Sequence, residues 1–348
     1  MSKLTGLLSC CIVVIFFPIA GVAQDKTISE IKKDSQKSGE IVDSVFKYNA
    51  KGWRKGVILS LNFGQGSSSN WAAGAEHSSF SMAGYATIFA NKKKGDFYWN
   101  NTLDLGFAMQ KTSSQGSRKT DDKIDFYTKA GHKLNDKWAV AGVLNLRTQF
   151  ADGYEYDYLG KGLKHRISGF MAPSYLLLSP GLEWTPANYF SLMISPFSAR
   201  WVIVTNDPYS YYYPDGQIPL PDGGEEKPLA ATYGVNPVRK VAFEAGAYLS
   251  ANFLKEIVKN VSYRSKLDLF SNYLGKRDPY TDEKISSKPQ NIDVYWTNNI
   301  IMKVNKFLNV TYNFDLIYDD DVKQFGPNKN AARTQVRSLL GVGISAKF

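Results

Sequence analysis

The sequence predicts an all-β protein, a transmembrane antiparallel up-and-down β-barrel of about twelve strands, and three observations predict it. From Trp53 onward the chain divides into segments of roughly 10 to 15 residues in which apolar and polar residues alternate. The connections between them run short and long in turn, as in barrels with short turns at one end and long loops at the other. Last, the chain closes on "SLLGVGISAKF", where Leu340, Val342, Ile344, Ala346 and Phe348 form one face and Gly341, Gly343, Ser345 and Lys347 the other. A period of two means strand, and such a face needs an apolar surface to meet.

The first residues set the compartment. In "MSKLTGLLSCCIVVIFFPIAGVAQD", Lys3 supplies a positive start, residues 7–19 an apolar run, and Gly21-Val22-Ala23 a small-residue cleavage pattern. The expectation is a signal peptide over 1–23 and an exported chain. A lipoprotein reading on Cys10 is disfavoured, because most of the apolar run follows that cysteine. Cys10 and Cys11 are the only cysteines, so the exported chain has no disulfide and no cysteine-based metal site. The net charge of +10 suits acidic headgroups or polysaccharide, and nucleic acid is not an expected partner outside the cell. Mean hydropathy is −0.29. That value fits a barrel as well as a soluble protein, because only alternate residues of a barrel strand meet lipid.

Residues 24–52 are polar, with an apolar spacing at Ile28, Ile31, Ile41, Val42, Val45 and Phe46 that suits a short helix or a loose periplasmic lead-in. The barrel is expected over 53–348. Its strands are expected at about 56–64, 76–91, 96–111, 121–134, 138–150, 169–184, 189–205, 240–254, 261–274, 290–304, 308–319 and 334–348. In "LNVTYNFDLIYD", for example, Leu308, Val310, Tyr312, Phe314 and Leu316 oppose Asn309, Thr311, Asn313 and Asp315. Long loops are expected near 65–75, 112–120, 151–168, 206–238, 275–289 and 320–333, on the extracellular side. A secreted β-sandwich also alternates. Three features favour the barrel over it: large aromatics on the apolar faces, the short-long rhythm, and strands long for a sandwich. Phe97 and Trp99, Trp138 and Phe150, and Tyr263 and Tyr273 stand near strand ends, where interfacial girdles lie. The closing apolar face with Phe348 resembles the signal that barrel-assembly machinery reads.

The stretches "GWRKGVILSLNFGQGSSSNWAAGAEHSSFS", "WNNTLDLGFAMQ", "RKTDDKIDFYTKAGHKL" and "LNLRTQFADGYEY" resemble a family of Bacteroidota outer-membrane proteins catalogued only as a domain of unknown function (family 3078). The resemblance covers about 52–348 and is most distinctive at Asn70-Trp71-Ala72-Ala73-Gly74. Ala75 and Glu76 stand where that family often has a second glycine and a polar residue. The resemblance implies a Gram-negative outer membrane and supplies no activity.

Chemistry-bearing residues are few. His77, His132 and His165 are the only histidines, no two at a metal-ligand spacing, and HExxH, GxSxG and glycine-rich phosphate loops are missing. His165 with Asp152, Glu155 or Asp157 and Ser168 is the one constellation a rim hydrolase could use, and an ordinary loop histidine explains it better. No enzyme, cofactor or metal is expected. Tyr154, Tyr156, Tyr158, Tyr209, Tyr211, Tyr212 and Tyr213 lie beside acids and prolines in two outer loops. They suit glycan or protein recognition, or mutual packing over the mouth. The lumen is expected to carry Asp104, Asp125, Lys129, Lys133, Arg147, Arg200, Glu244, Arg264, Lys266, Asp268, Asp293, Lys303, Asp315 and Arg337, with opposite charges paired across the interior. Pro173, Pro180 and Pro196 interrupt the sixth and seventh strands, as a β-bulge or as a lateral opening for an apolar solute. The functional expectation is a narrow passive channel or transporter for small solutes. The alternative is a surface module whose Tyr-rich loops bind glycan or a protein partner. Outer-membrane lipid, lipopolysaccharide and the assembly machinery are the expected partners.

Overall fold

Alternation along the chain becomes a ring of strands in the computed structural model, which describes residues 52–69, 77–156, 164–205, 228–278, 283–305, 308–323, 325–326 and 331–347. Twelve long strands build it: β1 (Gly52–Ser67), β2 (Ser78–Lys94), β3 (Phe97–Thr112), β4 (Gly116–Lys133), β5 (Trp138–Thr148), β8 (Ser174–Ala187), β9 (Phe190–Ile203), β10 (Val241–Val258), β11 (Val261–Asn272), β14 (Ile292–Lys303), β15 (Leu308–Tyr318) and β16 (Gln335–Lys347). Each pairs antiparallel with its neighbour in sequence, and β16 returns to β1 to close the barrel. Two small hairpins, β6 (Gly153–Tyr156) with β7 (Lys164–Ser168) and β12 (Lys276–Arg277) with β13 (Lys284–Ile285), stand on the long loops. All twelve expected strands are present. The expected signal peptide and most of the lead-in fall outside the described residues.

At one end the turns are tight, for reasons visible in their residues. Gly95 takes φ +60° between β2 and β3, and Asn260 φ +67° between β10 and β11. Asn135 Oδ1 accepts the Lys137 and Trp138 N–H groups at 2.9 Å, and Asn305 Oδ1 accepts that of Leu308 at 2.8 Å. These are side-chain-closed turns of the kind asparagine favours. At the other end the connections are long, with one exception that corrects the expected loop at 112–120. There β3 and β4 stay paired, through one register shift between Ala108 and Met109, up to Thr112 and Gly116, leaving a three-residue turn over 113–115. The run "KTSSQGSRKT" is polar on both faces, so alternation could not reveal that it continues the ladder above the apolar band.

Outward residues form the apolar band. Leu59, Leu61 and Phe63 of β1, Phe80, Met82 and Ile88 of β2, and Val336, Leu340, Val342 and Ile344 of β16 are all exposed. At the short-turn end a belt of rings runs around the barrel: Trp53 against Trp99 at 5.7 Å, Trp138 against Trp184 at 6.2 Å, Trp184 against Phe190 at 6.3 Å, and Phe253 against both Tyr189 and Tyr263 at 5.7 Å. The ammonium groups of Lys92 and Lys55 lie over Trp53, and that of Lys255 over Tyr189. Rings with cations beside them are the chemistry of a headgroup interface. Phe97, Trp99, Trp138, Phe150 and Tyr273 are exposed where the sequence places girdle residues.

Candidate functional site

Every strand presents alternate residues to the interior, so the lumen is built from twelve short columns of side chains. Charges in these columns find one another across the barrel. Arg147 of β5 reaches Asp268 of β11 and stands 3.5 Å from Asp125 of β4. Arg200 of β9 bonds Glu244 of β10 and, at 2.5 Å, Asp293 of β14. Arg337 of β16 bridges Asp315 of β15, at 3.0 Å from Nε, and Asp121 of β4. Lys129 of β4 meets Glu183 of β8, which also accepts the Tyr98 hydroxyl of β3. Asp268 is a hub: it accepts Ser250 Oγ at 2.7 Å and Tyr248 Oη at 2.8 Å, with Lys266 at 3.3 Å.

One pair spans the full width. Arg264 of β11 and Asp104 of β3 are six strands apart in the ring of twelve, yet Nη2 lies 3.6 Å from Oδ2. A round ring of twelve strands at ~4.8 Å spacing and ~40° tilt would be about 24 Å across. An arginine touching an aspartate bridges only on the order of 14 Å between Cα atoms, from bonds of ~1.5 Å. The barrel is therefore oval, pinched between β3 and β11. The pair is not dry: the side chains keep 40% and 24% of their exposure.

The interior also holds apolar clusters beside the charges expected there. Ala141 and Val143 of β5 pack with Met193 of β9, and Leu177 of β8 packs with Tyr248 and Phe270 of β10 and β11. The Arg200 guanidinium lies over the Phe270 ring at 4.2 Å. The wall from β5 to β11 is thus a packed apolar core with charges set into it. In "WAVAGVLNL" both faces are apolar, so the sequence hides which one turns inward.

The long-loop mouth carries a second closure. A one-turn helix, Leu229–Thr232, with Tyr233 and Val235 after it, packs into an apolar cluster with Ala172, Val202, Val204 and Val322. Ala172, Val204, Ala230 and Val235 are fully buried there. Tyr233 Oη donates to the Ile167 carbonyl at 2.9 Å, and the Lys323 N–H to the Thr232 carbonyl at 2.8 Å. Lys276 binds Asp321 across two further loops. Under this lid, Asp319 is buried. Burial, then the Asp293 charge, push its carboxyl up to about 8 despite Arg200. Burial and Glu244 raise Asp321 as well, against Lys276.

Other expected residues are placed as follows. Tyr154 and Tyr156 of β6 lie 6.3 Å apart, and Arg118 sits 4.2 Å over the Tyr156 ring. Tyr158 and Tyr209, Tyr211, Tyr212 and Tyr213 lie outside the described residues. Glu155 pairs with His165 along the β6–β7 ladder, while Asp152 is bound by Arg166 at 3.1 Å. Among the described residues no group of three or more His, Cys, Asp or Glu is arranged to hold a metal. Leu340, Val342 and Ile344 of the closing run face outward, and Phe348 lies outside the description.

The prolines resolve into a bulge. Pro173 precedes β8 rather than lying within it. Pro180 keeps its place opposite Gly142 of β5, but pairing of β8 with β9 breaks between Leu178 and Leu182. Serine hydroxyls replace the lost ladder. Ser179 Oγ meets Ser198 Oγ at 2.8 Å, Ser198 Oγ meets Ser195 Oγ at 2.9 Å, and Ser195 Oγ donates to the Pro180 carbonyl. Gly181 packs so tightly on the Ile194 carbonyl that no side chain would fit, so the wall is closed here.

The model of the family described as "Protein of unknown function (DUF3078)" matches residues 63–154, from the upper part of β1 to β6. No curated protein matches the sequence. Among solved structures the chain is similar to the translocator domain of autotransporter NalP from Neisseria meningitidis, with 8% identity, 93% of this chain and 98% of that one covered, and a TM-score of 0.37. It is similar also to the COG4313 outer membrane channel from Pseudomonas putida F1, with 9% identity, 87% and 98% covered, and a TM-score of 0.37. A third is the NanC porin, with 10% identity, 84% and 100% covered, and a TM-score of 0.34.

Proposed function

We propose that the protein is an exported outer-membrane barrel that acts as a narrow passive channel for small polar solutes, closed in this conformation by its lumen charges and its lid. The observation that carries the reading is the Arg264–Asp104 pair. It marks the pinch of the oval, yet both side chains remain partly exposed inside the barrel. Water therefore reaches the narrowest point, and the barrier there is two flexible charged side chains rather than packed hydrocarbon. Short turns face the periplasm and the lid faces outward, so a solute meets the lid first. The role is non-enzymatic and needs no cofactor; His165→Ala should leave it unchanged. Lipid and lipopolysaccharide surround the exterior, and the closing run of β16 is the segment offered to the assembly machinery.

The test is single-channel conductance in a planar bilayer, using protein purified from membranes of a Gram-negative host. Brief open steps from the natural protein, enlarged in Asp104→Ala/Arg264→Ala, are expected. Silence of both proteins, with heat-modifiable gel mobility showing a folded barrel, overturns the reading.

A further inference from the structure

A closed barrel has no edges, because a strand edge in hydrocarbon leaves its N–H and C=O groups unpaired at several kcal/mol each. One seam of this barrel departs from that rule. Strands β1 and β16 pair only from Ile58–Asn62 against Gly343–Lys347. Beyond Asn62 and Gly343 the ladder stops, although β1 continues to Ser67 along β2 and β16 runs back to Gln335 along β15. Among the described residues the facing edges of 63–67 and 335–342 have no strand partner. The outward residues beside this fork, Phe63, Leu340 and Val342, are exposed apolar side chains, so the opening lies in the apolar band.

Near its crotch nothing bulky closes it from inside. The lumen-facing positions there are Gly64 on β1 and Gly341 and Gly343 on β16, and the larger Leu339 and Arg337 face the lumen only farther along β16. The Asn62 side chain lies in the crotch, with Cγ 2.9 Å from where a Gly341 Cβ would stand. Asn309 of β15 flanks Gly343 from the other side. Asn62 and Asn309 retain only 8% and 2% exposure, and the Oδ1 atom of each is buried with no hydrogen-bond partner. A buried carbonyl without a donor costs about 1–3 kcal/mol, a cost a bound donor removes. Two such acceptors beside a glycine-lined gap that opens to lipid describe a ligand with one polar end and an apolar body.

We propose that the β1–β16 fork is a lateral binding site for an amphiphile bearing a hydroxyl group, its hydroxyl donating to Asn62 Oδ1 beside Asn309 and its hydrocarbon lying out between Phe63 and Leu340. The site joins membrane to lumen. It is separate from the proline bulge, which the serines close, and it does not depend on ion conduction through the pinch.

The test is saturable binding of pyrene-labelled dodecanol to the purified protein in detergent, with its methyl ether as the matched probe that cannot donate. The alcohol should bind, and the ether about tenfold more weakly, the equivalent of one hydrogen bond. Asn62→Val should weaken the alcohol to the level of the ether. Gly64→Phe, whose ring would fill the lumen side of the fork against the movable Ser81 hydroxyl, should abolish both. Equal binding of alcohol and ether by the natural protein overturns the proposal without any variant. Unchanged binding in folded Gly64→Phe protein overturns the location.

Discussion

Arg264 of β11 and Asp104 of β3 stand on opposite walls of the barrel, and their charges meet 3.6 Å apart across its short axis. Partly exposed ion pairs contribute about 0–1 kcal/mol to stability, so this contact is kept more cheaply as a barrier than as a brace. Arg264→Ala should raise single-channel conductance about twofold or more, because a charged constriction sets both width and ion selectivity. It should also shift selectivity toward cations, since Asp104 remains. Unchanged conductance and selectivity in an otherwise active protein would place the constriction elsewhere.

Asp268, four residues farther along β11, tells the opposite story. It is buried and accepts Arg147, Tyr248 and Ser250, with Lys266 close by. Removing it takes the near carboxylate from the buried Lys266 ammonium and one of two carboxylates from Arg147, a loss of about 3–5 kcal/mol. Asp268→Ala should therefore lower the urea midpoint of the barrel strongly, while Asp104→Ala leaves it nearly unchanged, a stability difference under about 1 kcal/mol. Equal losses in the two variants would mean that the pinch is as dry as the hub.

The lid depends on apolar burial. Val235 is fully buried among Ala172, Val204, Ala230 and Val322. Val235→Asp would bury a carboxylate there, so the lid should detach while the barrel stays folded. Limited proteolysis reads this as cleavage within 228–240 at least about tenfold faster than in the natural protein, the equivalent of ~1.4 kcal/mol in opening. Val235→Leu should leave the rate near its starting value.

How much of this was legible depends on whether the signal was local. Every long strand was, because alternation such as Leu308 to Leu316 against Asn309 to Asp315 survives in the pattern of outward and inward residues. Inward charges were legible only in part: an Arg or Asp inside an alternating strand can face only the lumen, yet Asp121 and Glu183, which bind Arg337 and Lys129 there, were not among the expected residues. Which charges meet was not legible: Arg264 and Asp104 are brought together by the flattening of the ring, which no single segment encodes. The lid residues "LAATYGV" are too short and too mildly apolar to advertise a core. The fork at Asn62 and Gly343 is a matter of register between the two ends of the chain, and alternation is blind to register across a closing seam.

The pH dependence of the lid follows from Asp319, whose carboxyl at the top of β15 is pushed up to about 8 by burial and by Asp293, with Arg200 opposing and Asp321 and Glu244 adding to the rise. A free aspartate titrates near 3.8. The folded protein therefore holds a proton that the unfolded chain gives up. This contribution to stability is full below about pH 4 and is lost as the pH rises through about 8, the reverse of the usual salt-bridged carboxylate. Asp321, raised in the same direction, adds to the trend. The Lys276 ammonium is held charged by Asp321 although burial opposes it, so it does not supply the loss over this range. The melting midpoint should fall between pH 6 and pH 9, and Asp319→Asn, which keeps the neutral amide under the lid at every pH, should flatten that fall. An equal fall in the variant would assign the pH dependence to other groups. A rise in the natural protein's midpoint over the same interval would mean that Arg200 holds Asp319 ionised.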